Sequence, residues 1–340
     1  MGVGSSLFNS NMNDCHHGGP DALGVPLFDF STNSNACGPC PPALAAVQQA
    51  DATRYPDPQY TALRAQLADF HGVDAARVVL AASASEFIHR ISALHRGQGV
   101  CLPKHHYGDY AQAARAWDLV PADAHGARLL WACEPSSPLG QAHPGLAALV
   151  DGLQPGQTLV LDCAYAPLRL EGTPSLDAAQ MDRVWQLWTP NKALGLTGIR
   201  AAYAIAPLGA DTAPLQTLCP SWPVGAHGVA MLQAWCRPDA QAWLAQSLVT
   251  LREWKARQII LCRTLGWECV PSVANFFCAR PPGEDLALRL QRLRARGIKL
   301  RDAASFGLAG YVRLGVLAPL AQDALGRGCR SSEGLAVVPP

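Results

Sequence analysis

The sequence predicts an α/β protein, with a large domain on a mostly parallel central sheet and a small α+β domain. Three patterns carry that expectation: short apolar runs alternating with helical periodicities as far as Ala206, a long helical stretch after Pro223, and a strand–helix–strand order near the C-terminus. With 340 residues, 49% of them hydrophobic and 16% charged, the chain can bury a large core.

Taken in order, Gln59 to Phe70 sets Leu63, Leu67 and Phe70 on one helical face and stops at Gly72, which readily takes the left-handed conformation that ends a helix. Arg77 to Ala82 reads as a buried strand. From Ser83 the period turns helical, with Phe87, Ile88, Ile91 and Leu94 on one face. Apolar runs at Gly99–Leu102, Arg128–Ala132, Thr158–Leu161, Val184–Trp188 and Arg200–Ala206 supply the other strands of the large sheet. Ala226 to Leu265 reads as one long helical region that bridges the domains, carrying Trp235, Trp243, Leu244, Leu248, Leu251 and Trp254. Strand Asn275–Ala279, helix Glu284–Arg296 and strand Tyr311–Val316 follow. Residues 46–245 are accordingly expected to form the large domain, and residues 1–45 with 246–340 the small domain and an N-terminal arm.

The net charge is +1, from 27 basic and 26 acidic residues, with no long run of either sign. A chain so balanced offers no extended footprint for a phosphate backbone, so nucleic acid is not an expected partner. No segment approaches the length of a membrane span, and the start MGVGSSLFNSNMNDCHHGG lacks a basic stretch followed by an apolar one. The expectation is a soluble, cytoplasmic protein that does not engage a membrane. Twelve cysteines are scattered through a chain too large to need stapling, so reduced thiols are expected. Cys37-Gly-Pro-Cys40 has a redox or half-zinc spacing, yet no second such pair completes a metal site. The doublets His16-His17 and His105-His106 do not chelate alone, because neighbours in a strand point to opposite faces. No metal is expected.

Ligands of an open α/β sheet bind beyond the carboxyl ends of its strands, so polar residues just after apolar runs are the candidates. Three places qualify. Thr158-Leu-Val-Leu-Asp162 ends in a carboxylate and continues through Cys163-Ala-Tyr165. Val184 to Trp188 runs into Thr189-Pro-Asn-Lys192 and on to Gly198-Ile-Arg200. Ala82-Ser-Ala-Ser-Glu86 lies where a strand passes into a helix. Singly, Asp162 reads equally as a helix cap, Lys192 as a solvated lysine and Ser83 to Glu86 as a capping sequence.

Together, Asp-x-Ala-Tyr, Thr-x-x-Lys and Gly-x-Arg in this order resemble the signature of fold-type I pyridoxal-phosphate (PLP) enzymes, the aspartate-aminotransferase superfamily. The resemblance implies the PLP-dependent transferase fold and pyridoxal 5'-phosphate as cofactor. It makes Lys192 the catalytic lysine that holds the cofactor as a Schiff base, and Asp162 the partner of the pyridinium nitrogen. That chemistry is sound, since PLP draws electrons only while its ring nitrogen stays protonated. Ala84 and Ser85 at a helix start, the Thr189 hydroxyl and the Arg200 guanidinium match the positions that hold the phosphate. Tyr165 falls where the family bonds the ring's 3-oxygen. In His106-Tyr-Gly-Asp-Tyr110, Tyr107 falls where an aromatic stacks on the ring, with Tyr110 the alternative. Tyr311-Val-Arg-Leu-Gly315 resembles the strand that presents the arginine for the substrate's carboxylate, which makes Arg313 the clamp.

Within the superfamily, three segments resemble threonine-phosphate decarboxylases of cobalamin biosynthesis, close to histidinol-phosphate aminotransferases. They are His17-Gly-Gly19, Phe28-Asp-Phe-Ser-Thr-Asn33 leading to Gly38-Pro39, and Arg54-Tyr-Pro-Asp-Pro-Gln-Tyr60. The His-Gly-Gly opening favours the decarboxylase. This likeness implies a small phosphorylated amino-acid substrate, with His17, Asn33 and Arg301 at its end of the site. It also implies a homodimer in which Tyr55 reaches the partner's cofactor phosphate. One position departs: Glu134-Pro-Ser-Ser-Pro-Leu-Gly140 stands where the family usually has Asn-Pro-Asn-Asn-Pro-Thr-Gly, so Ser137 replaces the asparagine that donates to the ring oxygen. Three expectations follow: decarboxylation of threonine phosphate, amino transfer of the histidinol-phosphate kind, and PLP binding with reduced catalysis.

Overall fold

A computed structural model describes residues 18–283 and 285–330. Its large sheet has seven strands, in the order Val78–Ala81, Ala202–Ile205, Trp185–Trp188, Thr158–Asp162, Leu129–Cys133, Gly99–Cys101 and Val120–Pro121. All pairings are parallel except the two made by Ala202–Ile205, which runs antiparallel to both neighbours. That reversal has a local cause. An antiparallel neighbour needs no crossover helix, so residues 189–201 return directly from Trp188 and form the loop that carries Lys192. The inner strand Leu129–Cys133 and the edge strand Val78–Ala81 are buried throughout, as their apolar runs require when both faces are covered.

A second sheet, all antiparallel, joins Arg301–Asp302, Val312–Gly315, Phe276–Arg280 and Glu268–Cys269. Phe28–Asp29 adds to this end of the molecule by pairing in parallel with Ile298–Lys299. The sequence-derived α/β architecture with a mostly parallel sheet is the observed one.

Helix Thr61–His71 ends at Gly72, whose φ of 66° is the left-handed turn expected of it. Helix Ala84–Leu94 begins under a Ser83 cap, with the Glu86 N–H donating to Ser83 Oγ at 3.1 Å. The single helical region expected over Ala226 to Leu265 is in fact two helices, Ala226–Trp235 and Pro238–Thr264. Pro238 has no N–H to continue the first helix, but its fixed φ suits the first turn of the next. In the 27-residue second helix the buried positions are Ala240, Leu244, Ser247, Leu251, Lys255, Gln258 and Cys262, a stripe at steps of three and four. Three of these are polar and are satisfied inside the protein: Lys255 Nζ donates to Glu171 Oε1 at 2.9 Å, Gln258 Nε2 to the Gly315 carbonyl at 3.0 Å, and Ser247 Oγ to the Leu244 carbonyl at 2.7 Å. The helix expected over Glu284 to Arg296 spans Leu286–Ala295, and a further helix, Pro319–Arg330, follows the last strand; Glu284 lies outside the described residues. Among the described residues no helix is long and apolar enough to cross a membrane.

Candidate active site

Strands Leu129–Cys133, Thr158–Asp162 and Trp185–Trp188 end side by side, with Cys133, Asp162 and Leu187 in one register row. Asp162, Thr189 and Glu134 therefore emerge at one edge of the sheet. Ala81 pairs with Ala202, so Ser83 leaves that same edge and Arg200 leads into it. Sequence separations of more than a hundred residues collapse into one row of strand ends, the place where open α/β sheets bind ligands.

Asp162 is buried. Its Oδ1 accepts from the Ala164 N–H at 2.9 Å and its Oδ2 from the Tyr110 hydroxyl at 2.6 Å. Burial pushes the carboxyl up from its ordinary range, against the pull of Tyr110, Ala164 and the Lys192 charge. Tyr110 is thereby corrected as a stacking candidate: it is 1% exposed, lies flat on Trp131 at 4.3 Å and points its hydroxyl at Asp162. Its ring faces are taken by the protein. Tyr107 stands half-buried at the start of helix Gly108–Ala116, edge-on to Tyr110 at 5.9 Å. Burial and the nearby Asp109 charge push its phenol up, so it stays neutral.

Lys192 Nζ lies 5.4 Å from the centre of the Tyr165 ring. Its loop is held from outside: the Asn35 N–H donates to the Lys192 carbonyl at 2.9 Å, and Asn35 Nδ2 to the Ala193 carbonyl at 3.0 Å and Ser247 Oγ at 2.7 Å. Gly195 has φ 68°, and a Cβ there would meet the Gly38 carbonyl oxygen at 2.5 Å, so only glycine fits. Tyr165 is buried against Phe276 at 4.6 Å, and its hydroxyl accepts from Asn33 Nδ2 at 3.1 Å. Asn33 and Asn35 thus bring the N-terminal segment onto the lysine loop.

Thr189 is buried, and its Oγ1 has no hydrogen-bond partner. The first N–H groups of helix Ala84–Leu94 are those a helix leaves free for an anion. The Ser85 hydroxyl donates to Asp109 Oδ2, leaving its backbone N–H as the group available there. Arg200 is exposed and borders an open depression with Gly225 and His227. Ser137 is buried in the loop after Cys133, whose opening residue Glu134 forms a buried ion pair with Arg169 and accepts from the Ser175 N–H at 3.1 Å.

Arg313 and Arg301 are both buried and pair directly across adjacent strands. Arg313 Nη2 donates to the Ser31 carbonyl at 3.1 Å while its Nε has no partner. Arg301 donates to the Asp302 carbonyl at 2.7 Å and to Ser305 Oγ at 2.8 Å. Phe306 receives both guanidiniums, at 4.9 Å for Arg301 and 5.4 Å for Arg313. Its carbonyl accepts from His105 Nδ1 at 2.8 Å, which ties the Tyr107 loop to the arginine pair. Sequence reading missed Asn35, His105 and Phe306, whose roles arise only from contacts far apart in the chain.

His17 lies outside the described residues. A Cβ on the neighbouring Gly18 would meet the Ser31 carbonyl oxygen at 2.2 Å, and the Gly19 N–H donates to Ser31 Oγ at 2.9 Å. The glycines after His17 are therefore pinned to the residue that Arg313 touches. Tyr55 is 77% exposed and stacks on Trp222 at 4.4 Å. Burial pushes the Cys37 and Cys40 thiols up, opposite to what a reactive redox pair requires.

A buried carboxylate, an unpartnered buried hydroxyl and a helix N-terminus stand together where the strands end, with the Lys192 loop beside them. The model of the class I and II aminotransferase family matches residues 25–125 and 116–331, so the chain belongs to that family and its cofactor is pyridoxal 5'-phosphate. Among its relatives, the histidinol-phosphate aminotransferase of Jannaschia sp. (strain CCS1) is 29% identical over 317 residues, covering 85% of this chain and 87% of the relative. A histidinol-phosphate aminotransferase of Thiobacillus denitrificans is also 29% identical, over 85% and 81% of the two chains. Among solved structures, the histidinol-phosphate aminotransferase of Sinorhizobium meliloti in complex with pyridoxal-5'-phosphate shares the fold with a TM-score of 0.80 at 22% identity, over 96% of this chain and 99% of that one. L-threonine-O-3-phosphate decarboxylase from Porphyromonas gingivalis does so with a TM-score of 0.76 at 20% identity, over 90% and 99%.

Proposed function

We propose that the protein decarboxylates L-threonine O-3-phosphate to (R)-1-aminopropan-2-yl phosphate and carbon dioxide, a step of cobalamin biosynthesis. The observation that carries this reading is the pairing of Arg301 with Arg313 across adjacent strands, both buried and both on Phe306. Two neighbouring guanidiniums suit a compact substrate that brings a carboxylate and a phosphate within a few bonds of each other. The His17-Gly-Gly19 opening and the fold shared with the Porphyromonas decarboxylase support it.

In this reading Lys192 Nζ would hold the cofactor and Asp162 its ring nitrogen. Tyr165 and Ser137 would meet the ring's 3-oxygen, and Tyr107 would cover its face. The phosphate would rest on the Ala84 and Ser85 N–H groups, Thr189 Oγ1 and Arg200. When bound, PLP supplies an electron sink that weakens whichever bond of the substrate α-carbon stands perpendicular to its ring. Arg313 fixes the substrate carboxylate and Arg301 its phosphate, with His17 and Asn33 nearby, so these residues choose the bond that is presented. Lys192 would be the group placed to carry a proton at the substrate α-carbon. The assembly is a homodimer in which Tyr55 would reach the cofactor phosphate of the partner subunit. Residues 46–245 form its large PLP-binding domain, and residues 1–45 and 246–340 its small domain and N-terminal arm.

A second reading, amino transfer to or from histidinol phosphate or a similar amine, is favoured by the names of the 29%-identical relatives. Carbon dioxide release from threonine phosphate, assayed without any keto acid, separates the two. Amino transfer to 2-oxoglutarate with no carbon dioxide would overturn the first reading. A yellow protein whose spectrum responds to neither substrate would point to lost catalysis, the outcome that Ser137 motivates.

A further inference from the structure

The two rings of the His105-His106 doublet are tied to different partners. His106 turns back on its own loop: its Nδ1 lies 2.7 Å from the Pro103 carbonyl, and its ring runs nearly parallel to Tyr110 at 6.2 Å. That bond closes residues 103–106 just ahead of Tyr107. His105 reaches outward, and its Nδ1 lies 2.8 Å from the Phe306 carbonyl, 201 residues away in the chain. A carbonyl oxygen can only accept, so Nδ1 is a nitrogen of His105 that carries hydrogen, whether the ring is neutral or charged.

On the far side of this bond stands Ala304–Phe306, a single turn of 3-10 helix. Ala304 and Ser305 are exposed and Phe306 is half-buried, so core packing does little to place the turn. Its own backbone bonds shape it without anchoring it: the Phe306 N–H donates to the Ala303 carbonyl at 3.0 Å and the Gly307 N–H to the Ala304 carbonyl at 2.9 Å, both within residues 303–307. Arg301 nevertheless depends on this turn. Ser305 Oγ accepts from Arg301 Nη2 at 2.8 Å, and the Phe306 ring lies 4.9 Å from its guanidinium. Arg313 leans on the same ring but is also held by the Ser31 carbonyl. The His105 bond therefore sets how far Arg301 stands from the Tyr107 loop.

We propose that His105 is a positioning residue that holds the Ala304–Phe306 turn, and with it Arg301, at a fixed distance from Tyr107, so that the guanidinium stands ready for the phosphate of a compact substrate. The proposal rests on the reading of Arg301 as the group that meets that phosphate.

The test measures carbon dioxide release from threonine phosphate by the PLP-loaded protein, comparing the unaltered chain with His105→Ala, His105→Asn, Arg301→Gln and the double variant of His105→Ala with Arg301→Gln. Loss of one hydrogen bond behind the charged group should raise KM about 10-fold in His105→Ala, leaving kcat within about 2-fold and the PLP absorbance unchanged. Asparagine puts its Nδ2 where histidine has Nδ1, so His105→Asn should recover most of the loss. In the Arg301→Gln background, which itself raises KM, His105→Ala should add nothing. A merely structural His105 would lower the melting temperature with KM unmoved, or give alanine and asparagine the same KM, and either result overturns the proposal while the Arg301 reading stands. A full further rise in the double variant overturns it as well. A KM indifferent to Arg301→Gln overturns the reading and the proposal together. If threonine phosphate releases no carbon dioxide, the substrate reading fails, and the same variants are compared with histidinol phosphate and 2-oxoglutarate under the same expectation for the KM of the amine. Hydrogen exchange of the PLP-loaded protein needs no turnover: the Phe306 and Gly307 amides should exchange about 10-fold faster in His105→Ala, and unchanged rates overturn the proposal.

Discussion

Arg301 and Arg313 face each other across adjacent antiparallel strands and both rest on Phe306, whose carbonyl is held by His105 from the opposite sheet's loop. Arg313 is thus linked to the loop that presents Tyr107. Arg313→Lys removes the planar fork and keeps the charge, so kcat/KM should fall about 100-fold, the loss of roughly 2–3 kcal/mol of charge-assisted bonding. PLP binding, read by absorbance, should be unchanged. Equal loss of both would place Arg313 at the cofactor instead.

Gly195 makes a second prediction, because it combines a positive φ with close approach to Gly38. Gly195→Ala should destabilise the protein by about 1–3 kcal/mol in urea unfolding, through strain at a left-handed position. It should also weaken PLP retention, since the strained loop carries Lys192. An alanine variant with unaltered stability would show that the loop moves freely away from Gly38.

The buried pair of Glu134 and Arg169 gives a third. Replacing Arg169 by Met strands a buried carboxylate and should cost about 3–5 kcal/mol. Adding Glu134→Gln should recover part of that loss. If the double variant is no more stable than the single one, the pair is not coupled as the geometry has it.

His71 sets a pH dependence. Its imidazole is half-buried beside Trp188, its Nε2 lies 2.8 Å from the Tyr203 hydroxyl, and desolvation draws its pKa from 6.5 down to about 4. The folded-state value is depressed, so between these limits the unfolded chain binds the extra proton. This contribution to stability is complete above the unfolded-state pKa and is lost as the pH falls towards about 4. His71→Gln should flatten the stability profile over that window, measured by urea unfolding at a series of pH values. An unchanged slope would mean that His71 is protonated in the folded protein.

Much of the fold was legible because buried strands announce themselves as apolar runs, and Asp162, Thr189 and Ser83 stand where those runs end. Gly72 closed its helix as its chemistry requires. What the sequence concealed was direction and distance. Tyr107 and Tyr110 sit three residues apart in one motif, and only the start of helix Gly108–Ala116 decides that Tyr110 turns inward to Asp162. Asn35 reaches Ala193 across 158 residues and His105 reaches Phe306 across 201, contacts that no local pattern encodes. The long helical stretch hid its break because both pieces keep helical periodicity, and only Pro238 marked the join.

The central claim is that Lys192 carries the cofactor. Borohydride reduction of the PLP-loaded protein, followed by peptide mass spectrometry, tests it most directly, since the chain has only three other lysines, Lys104, Lys255 and Lys299. The account predicts the reduced pyridoxyl mass on the peptide containing Lys192 and its disappearance in Lys192→Ala. The same mass on a peptide containing Lys104, Lys255 or Lys299, or its persistence in Lys192→Ala, would contradict it.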